Sequence, residues 1–542
     1  MKRVWIFIIL LALICFFNTA CQKNKLAENQ ELTVAVTADP VTLDPQRTTQ
    51  NTAYTIITNV MEGLVRINDE GEIEPALAKS WQVSEDKLTY TFALKDALWS
   101  DNTPITAYDI EYSLKRALDS SFASEAVYQM YIIQNAYEAK YGINEKGEEV
   151  KITNKDIGIT AIDDKTLEIK LKEPASYFVA LLANPVFIPS QKESIDAAGD
   201  EYATASDLMV YSGPYIVKEW IKDKKIILVK NPDYWDSDNV ILNEIEFIIE
   251  PQSAEIVKSF QQGETDLFEI PSSYIAQFTE QQTCIQVISA TTWYIQFNCS
   301  NKYFSNTKIR QAFAMAIDKD DFLSRIKNGT ALKTDTLTSP SIPLDGEYLF
   351  VGGKSTLEPI TFDKEKANQL LDEGLEEIGL TREEFAKELL FLAGEGDVWD
   401  NVISFISDQV KNVFDIDLKV DTVGSAELIK LYQNKEYAFT YCGNESDFFD
   451  PISSLEEFLS NNPNNFSYFS NTDYDGTVAE AKESGKNKRT SIIQAERILT
   501  QEVPIIPLYH TVYNFAMQSD VKGVLFIPIQ MHIDFKKTYI TK

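Results

Sequence analysis

The residues of this chain that could do chemistry are few, and their spacing argues against catalysis. Only two histidines occur in 542 residues, His510 and His532. That scarcity removes most Ser-His and Cys-His catalysis and most zinc or copper sites, which use His as base or ligand. Of the five cysteines, Cys15 and Cys21 lie in or beside an N-terminal apolar run. Cys284, Cys299 and Cys442 can form at most one disulfide, and no spacing matches a zinc or redox motif. The run Gly352-Gly353-Lys354-Ser355-Thr356 has the Lys-Ser end of a phosphate loop, but Tyr348 stands where the first glycine belongs. Its backbone therefore cannot wrap a phosphate, and a surface turn is expected. Carboxylates are plentiful, and a catalytic dyad is defined by separation in space rather than in sequence. One acidic segment has a local pattern, Asp447-Phe448-Phe449-Asp450-Pro451; an Asp directly before a helix-starting Pro reads as a cap, which assigns Asp450 to structure. No enzyme, no cofactor and no metal site is expected.

Composition narrows the partners. Asp plus Glu number 82 against 50 Lys plus Arg, a formal charge of −32. Nucleic acid is excluded, because phosphate binding needs a basic face. At the N-terminus Lys2 and Arg3 precede an apolar run from Val4 to Phe17 and then Asn18-Thr19-Ala20-Cys21. This is the layout of a secretory signal, too short for the ~20 residues of a membrane-spanning helix. Cys21 resembles the residue at which bacterial lipoproteins are cut and acylated, although Asn18 stands where Leu is usual. Residues 1–20 are thus read as a signal peptide and 21–31 as a polar, aperiodic tether.

The elements that must position any site alternate between strand-like and helix-like patterns, an α/β signature. Period-two strands are clearest at Leu88-Tyr90-Phe92-Leu94 and Leu167-Ile169-Leu171. A helix from Thr52 puts Tyr54, Ile57, Val60, Met61, Leu64 and Val65 on one face; another from Thr307 has Asn306 as its cap. Residues 363–414 read as largely helical, interrupted near Gly394 and Gly396, and are followed by a strand at Ile416-Leu418-Val420. Helix followed by strand predicts a parallel sheet covered by helices, with ligand clefts at strand ends or between lobes. In WSDNTPIT the Ser100–Pro104 cluster is a turn. Gly213-Pro214 suits a sharp bend, and the Tyr234-Trp235 pair reads as packing.

A set of landmarks then runs in order along the chain: VTLDPQ (Val41–Gln46), MEGLVRI (Met61–Ile67), EPALAKSW (Glu74–Trp81), SGPYIVKEW (Ser212–Trp220) and LVKNPDYWD (Leu228–Asp236). RQAFAMAIDK (Arg310–Lys319), SDFFDPISSLEEFL (Ser446–Leu459) and PIIPLYH (Pro504–His510) complete it. Together they resemble the peptide-binding family of solute-binding lipoproteins that feed ABC importers, the oligopeptide-binding proteins, over nearly the whole mature chain. The resemblance implies a class II periplasmic-binding-protein-like α/β fold: two lobes, an extra domain, and a ligand cleft between the lobes. The corresponding division is lobe I from 32–75, 208–288 and 519–542, an extra domain at 76–207, and a further lobe at 289–518.

The resemblance also implies a function and a site. An extended peptide is held in a closing cleft, paired like an added strand, and delivered to ABC permease subunits by a monomer lipid-anchored on the outer face of the bacterial membrane. Related receptors take dipeptides, nickel chelates or a peptide signal, and a secreted hydrolase on the same scaffold is the alternative from another class. The family's ligand chemistry lies in the segment corresponding to Tyr441–Pro451, with Gly443, Asn444 and Glu445 beside Asp447. Asp447 corresponds to the acid that neutralises the peptide's α-amino group, because an unpaired ammonium in a dry cleft costs several kcal/mol. Asn444 stands where the family usually has Trp, which implies a more polar pocket. The opposite wall is assigned to Thr48, Thr49 and Gln50, through backbone groups.

Overall fold

The computed structural model describes residues 25–144, 146–326, 329–344, 347–350, 357–482 and 487–542. The apolar leader, Cys21 and the Gly352–Thr356 turn lie outside the described residues. The chain's period-two segments pair into two main sheets. In chain order their strands are β1 (Glu31–Val36), β2 (Ala78–Val83), β3 (Thr89–Leu94), β4 (Ile159–Asp163), β5 (Thr166–Lys170), β6 (Tyr215–Ile221), β7 (Lys225–Lys230) and β8 (Glu244–Ile249). Then come β9 (Leu267–Glu269), β10 (Cys284–Phe297), β11 (Ala331–Lys333), β12 (Leu390–Ala393), β13 (Lys419–Thr422), β14 (Phe439–Glu445) and β15 (Ile505–Met517).

The larger sheet runs β13-β12-β14-β10-β15-β9-β1-β8-β7-β6, with β11 also beside β15. It is mixed, not the parallel sheet that the helix-then-strand succession predicts. β1 is parallel to β8 and β9, and β12 to β13 and β14. Between these groups the long strands β10 and β15 form an antiparallel ribbon. One half of the ribbon pairs with β9 and the other with β14. Its register shifts between Ile288 and Thr292, where ladder pairing is interrupted and a strand bends most readily. The smaller sheet, β2-β3-β5-β4, is antiparallel.

Helices cover these sheets with the faces their apolar spacing dictates. Helix α1 (Asn51–Val60) buries Tyr54, Ile56, Ile57 and Val60 completely, each contributing roughly 1.5–3 kcal/mol of transfer free energy. It ends at Val60, so Leu64 and Val65 do not share its face as predicted; they are buried in the following turn and short strand. Met61 is extended (φ −125°, ψ 161°) and ends the helix, and Gly213 packs so closely there that a Cβ on it would stand 2.5 Å from the Val60 carbonyl carbon. α2 (Ala107–Leu118) opens on a capping box between Thr106 and Asp109 and packs beside the smaller sheet. α3 (Thr307–Ala316) is capped as expected by Asn306, whose side chain accepts from the N–H groups of Lys308 and Ile309. Within 363–414 the structure has α4 (Lys364–Glu377) and α5 (Asp397–Phe414), a shorter helix at Arg382–Glu388, and β12, which the sequence pattern missed. Leu390-Phe391-Leu392-Ala393 is a continuous apolar run, which periodicity alone does not separate from helix. The following strand begins at Lys419 rather than Ile416.

Candidate functional site

The site grows out of the end of β14. At Phe439 and Thr440 this strand pairs with β12 on one side, and along its full length with β10 on the other. From Cys442 to Glu445 no strand among the described residues pairs with the β12-side edge. That edge therefore offers backbone donors and acceptors to a segment added alongside.

Side chains alternate across the strand. Gly443 lies against Trp293, where a Cβ would approach the indole to 2.9 Å. The absence of a side chain lets Trp293 stack on Tyr441 at a ring separation of 5.1 Å and 18°, and on Tyr509 at 6.3 Å. Much of Glu445 is exposed, but its carboxyl accepts from the Gln530 N–H at 2.8 Å and is desolvated there, which raises it above the usual carboxylate range. On the opposite face lies Asn444, only 6% exposed, whose Oδ1 receives no hydrogen bond from the described residues.

Past the strand the chain turns sharply. Ser446 N–H donates to the Ala290 carbonyl at the ribbon's irregularity, and Asp447 N–H donates to Ser453 Oγ at 2.6 Å. This presents the Asp447 carboxylate to a short 3-10 turn at Val127–Met130. Tyr128 donates its hydroxyl to Oδ1 at 2.6 Å, and Gln129 Nε2 donates to the same oxygen at 3.3 Å. Asn184 Nδ2 donates to the Asp447 carbonyl at 2.5 Å. Burial pushes the Asp447 carboxyl up, and the two side-chain hydrogen bonds pull it partly back. No Lys, Arg or His among the described residues forms an ion pair with it. Next to it Phe448 stacks on Tyr177 with ring centres 4.2 Å apart.

Asp450 behaves differently. Its Oδ1 accepts from the Ile452 N–H at 3.0 Å at the start of α6 (Ile452–Leu455). The other oxygen forms an ion pair with Lys488, which the local pattern did not reveal.

Thr48, Thr49 and Gln50 form the loop entering α1. Thr48 is buried and its Oγ1 accepts from the Gln50 N–H. Gln50 Oε1 accepts from Val41 N–H, and Thr49 Oγ1 donates to Glu125 at 2.8 Å. Among the described residues no hydrogen bond joins this loop to 443–447. Tyr54 on α1 lies within electrostatic reach of Glu445 and Glu125; burial first, and then those two charges, make its hydroxyl harder to ionise, and among the described residues that hydroxyl has no hydrogen-bond partner. Tyr128, Gln129, Asn184 and Glu457 were not legible as site residues. Tyr128, Gln129 and Asn184 lie far from Asp447 in sequence and in no motif; Glu457 falls within the Ser446–Leu459 landmark, but nothing local marks it as a site residue.

A long antiparallel ribbon within a mixed sheet, a separate four-stranded sheet, and an open strand edge beside a carboxylate with no ion pair among the described residues make a class II periplasmic-binding-protein-like fold with a solute cleft. The profile of the family described as bacterial extracellular solute-binding proteins, family 5 Middle, matches residues 72–466, and the chain belongs to that family. It is similar to the dipeptide-binding protein DppE of Bacillus subtilis, 30% identical over 95% of this chain and 92% of that protein. The oligopeptide-binding protein OppA of the same organism is 26% identical over 99% of this chain and all of its own length. Among solved structures, the unliganded open form of the periplasmic murein tripeptide-binding protein MppA superposes with a TM-score of 0.79 at 25% identity, covering 96% of this chain and 99% of that one. OppA of Listeria monocytogenes bound to peptide gives 0.70 at 28% identity, over 95% and 100%.

Proposed function

We propose that this protein captures short peptides in the cleft bordered by β14, Asp447 and the Val127–Met130 turn, and hands them to the permease of an ABC importer. The carrying observation is that Asp447, at the end of an open strand edge, faces two neutral donors and, among the described residues, no cation. A peptide laid along that edge pairs its main chain with Cys442–Glu445 and brings its α-ammonium to the carboxylate. Relatives named as dipeptide- and oligopeptide-binding proteins support this reading. The Thr48–Gln50 loop forms the opposite wall once the lobes close. The described form is nearer to an unliganded open relative than to a peptide-bound one, in keeping with closure on ligand.

Lobe I takes 32–75, 208–288 and 519–542, the extra domain 76–207, and the other lobe 289–518. The bend in the β10–β15 ribbon near Ser289–Thr291 serves as hinge. The protein acts as a monomer without catalysis, outside the cytoplasm, held to the membrane through lipid on Cys21. Native mass spectrometry of protein purified without refolding tests the ligand class. A mass series of small peptides is expected, and a single non-peptide adduct that survives exchange with peptide mixtures would overturn the reading.

A further inference from the structure

Glu457 is a half-buried carboxyl two residues beyond the end of α6, and among the described residues no basic side chain pairs with it. Its neighbours are compensated: Glu456 pairs with Lys482 at 2.9 Å, and Asp450 with Lys488. Asp447 also has no cation among the described residues, and the two uncompensated carboxyls repel. Desolvation first, and then the charge on Asp447, push Glu457 up to about 8, against a hydrogen bond from the Asn444 amide. That amide is spent on Glu457, while Asn444 Oδ1, buried at 6% exposure, has no donor among the described residues. Tyr128, Tyr294 and Cys442 lie within electrostatic reach of Glu457, and none brings a positive charge.

Three acceptor groups thus meet beneath one strand end, with no cation among the described residues paired to any of them. Buried acceptors call for donors, and two nearby carboxyls cannot both ionise without added positive charge. One α-ammonium at Asp447 neutralises one of them and leaves Glu457 and Asn444 Oδ1 unanswered. A segment added to the edge of β14 directs alternate side chains to opposite faces. One of its first two side chains therefore points to the Asn444 face, and the next toward Gly443 and Trp293.

We propose that Asn444 and Glu457 form a specificity pocket for a second positive charge, so that the preferred ligands carry a Lys- or Arg-like side chain within two residues of their free amine. A primary ammonium brings three donors and a guanidinium five, which suits a carboxylate beside an amide oxygen. The inference rests on the peptide reading of the cleft and specifies its substrate class.

Calorimetry at pH 7 tests it, using the full chain with Cys21→Ser and four peptides: Ala-Ala-Ala-Ala, Lys-Ala-Ala-Ala, Ala-Lys-Ala-Ala and norleucine-Ala-Ala-Ala. One lysine peptide should bind at least tenfold tighter than the alanine and norleucine peptides. Glu457→Gln should shrink that preference to under threefold while holding or improving alanine-peptide affinity, and Asn444→Ala should reduce it in part. If Glu457→Gln does not fold, which its melting curve reports, Asn444→Ala and the wild-type comparison still decide. Equal binding of all four peptides by the wild type, as expected if a proton alone satisfies Glu457, would overturn the pocket and spare the peptide reading. A lysine preference that survives in every folded variant would place the second charge elsewhere. Failure of all four peptides to bind would sink the peptide reading and this inference with it.

Discussion

Tyr128 donates its hydroxyl to Asp447 Oδ1 over 2.6 Å and so joins the Val127–Met130 turn to the end of β14. A neutral phenol stands at a carboxylate that a ligand's ammonium can share, because an ionised carboxylate accepts at several lone-pair sites. The ligand need not displace Tyr128 to reach Asp447, and what it supplies is the positive charge.

Asp447→Asn should therefore weaken peptide binding by roughly thirtyfold to several thousandfold, the equivalent of ~2–5 kcal/mol for stranding one member of a buried charge pair. An N-acetylated peptide should bind the wild type poorly and lose little further affinity in the variant. Equal losses for both peptides in calorimetry would mean that Asp447 acts on the fold instead.

Asp450→Asn should spare binding and cost stability. Asn still caps a helix, but the substitution leaves Lys488 without its partner where both side chains are 12% exposed or less. Breaking such a pair costs ~3–5 kcal/mol, more than the ~1 kcal/mol of a lost cap. Denaturant titration reads this as a lower midpoint with unchanged slope; peptide affinity within threefold of wild type completes the contrast with Asp447.

Arg66 joins Glu62 at 2.9 Å to Asp534 at 2.6 Å in a buried network that also receives the Tyr234 hydroxyl on Glu62. It ties the end of α1 to the C-terminal segment. Arg66→Met strands two carboxylates, and a loss of ~3–5 kcal/mol is expected. A chemical-denaturation midpoint equal to that of the wild type would contradict it.

Stability should carry a pH signature from Glu457. Its folded-state carboxyl titrates near 8, above its ordinary 4.5, so the folded chain holds a proton that the unfolded chain releases. Its contribution is present below about 4.5 and is lost as pH rises toward about 8, at up to ~1.4 kcal/mol per pH unit. Glu269, Glu445 and Glu496 are also raised by burial, so the readout is the difference between wild type and Glu457→Gln. The variant should be the more stable one at pH 8, with the gap closing by pH 5.

Ligand should compact the protein and raise its melting temperature, by ~2.7 kcal/mol of stabilisation at a hundredfold excess over Kd. Small-angle scattering with tightly bound peptide should show a smaller radius of gyration. In a bacterial host the wild type should partition into detergent and Cys21→Ser should not, since stable anchoring takes more than one acyl chain. Continued membrane association of Cys21→Ser would put the anchor elsewhere.

The sequence by itself determined what depends on local order. The family landmarks, the cap at Asn306, the period-two strands β3 and β5 and the Asp447-to-Pro451 segment are all contiguous, and each acts through neighbours within a few residues. It could not distinguish β12 from helix, because a short apolar run has no diagnostic period. It foretold a parallel sheet, because nothing local states that β10 and β15, more than 200 residues apart, form an antiparallel ribbon. The pairing of Asp450 with Lys488, the arrival of Tyr128 and Gln129 at Asp447, and the meeting of Glu457 with Asn444 were decided only by tertiary structure. Charge compensation and desolvation depend on distance in space, and a −32 chain offers too many carboxylates for sequence to single out the few that folding leaves buried without a cation.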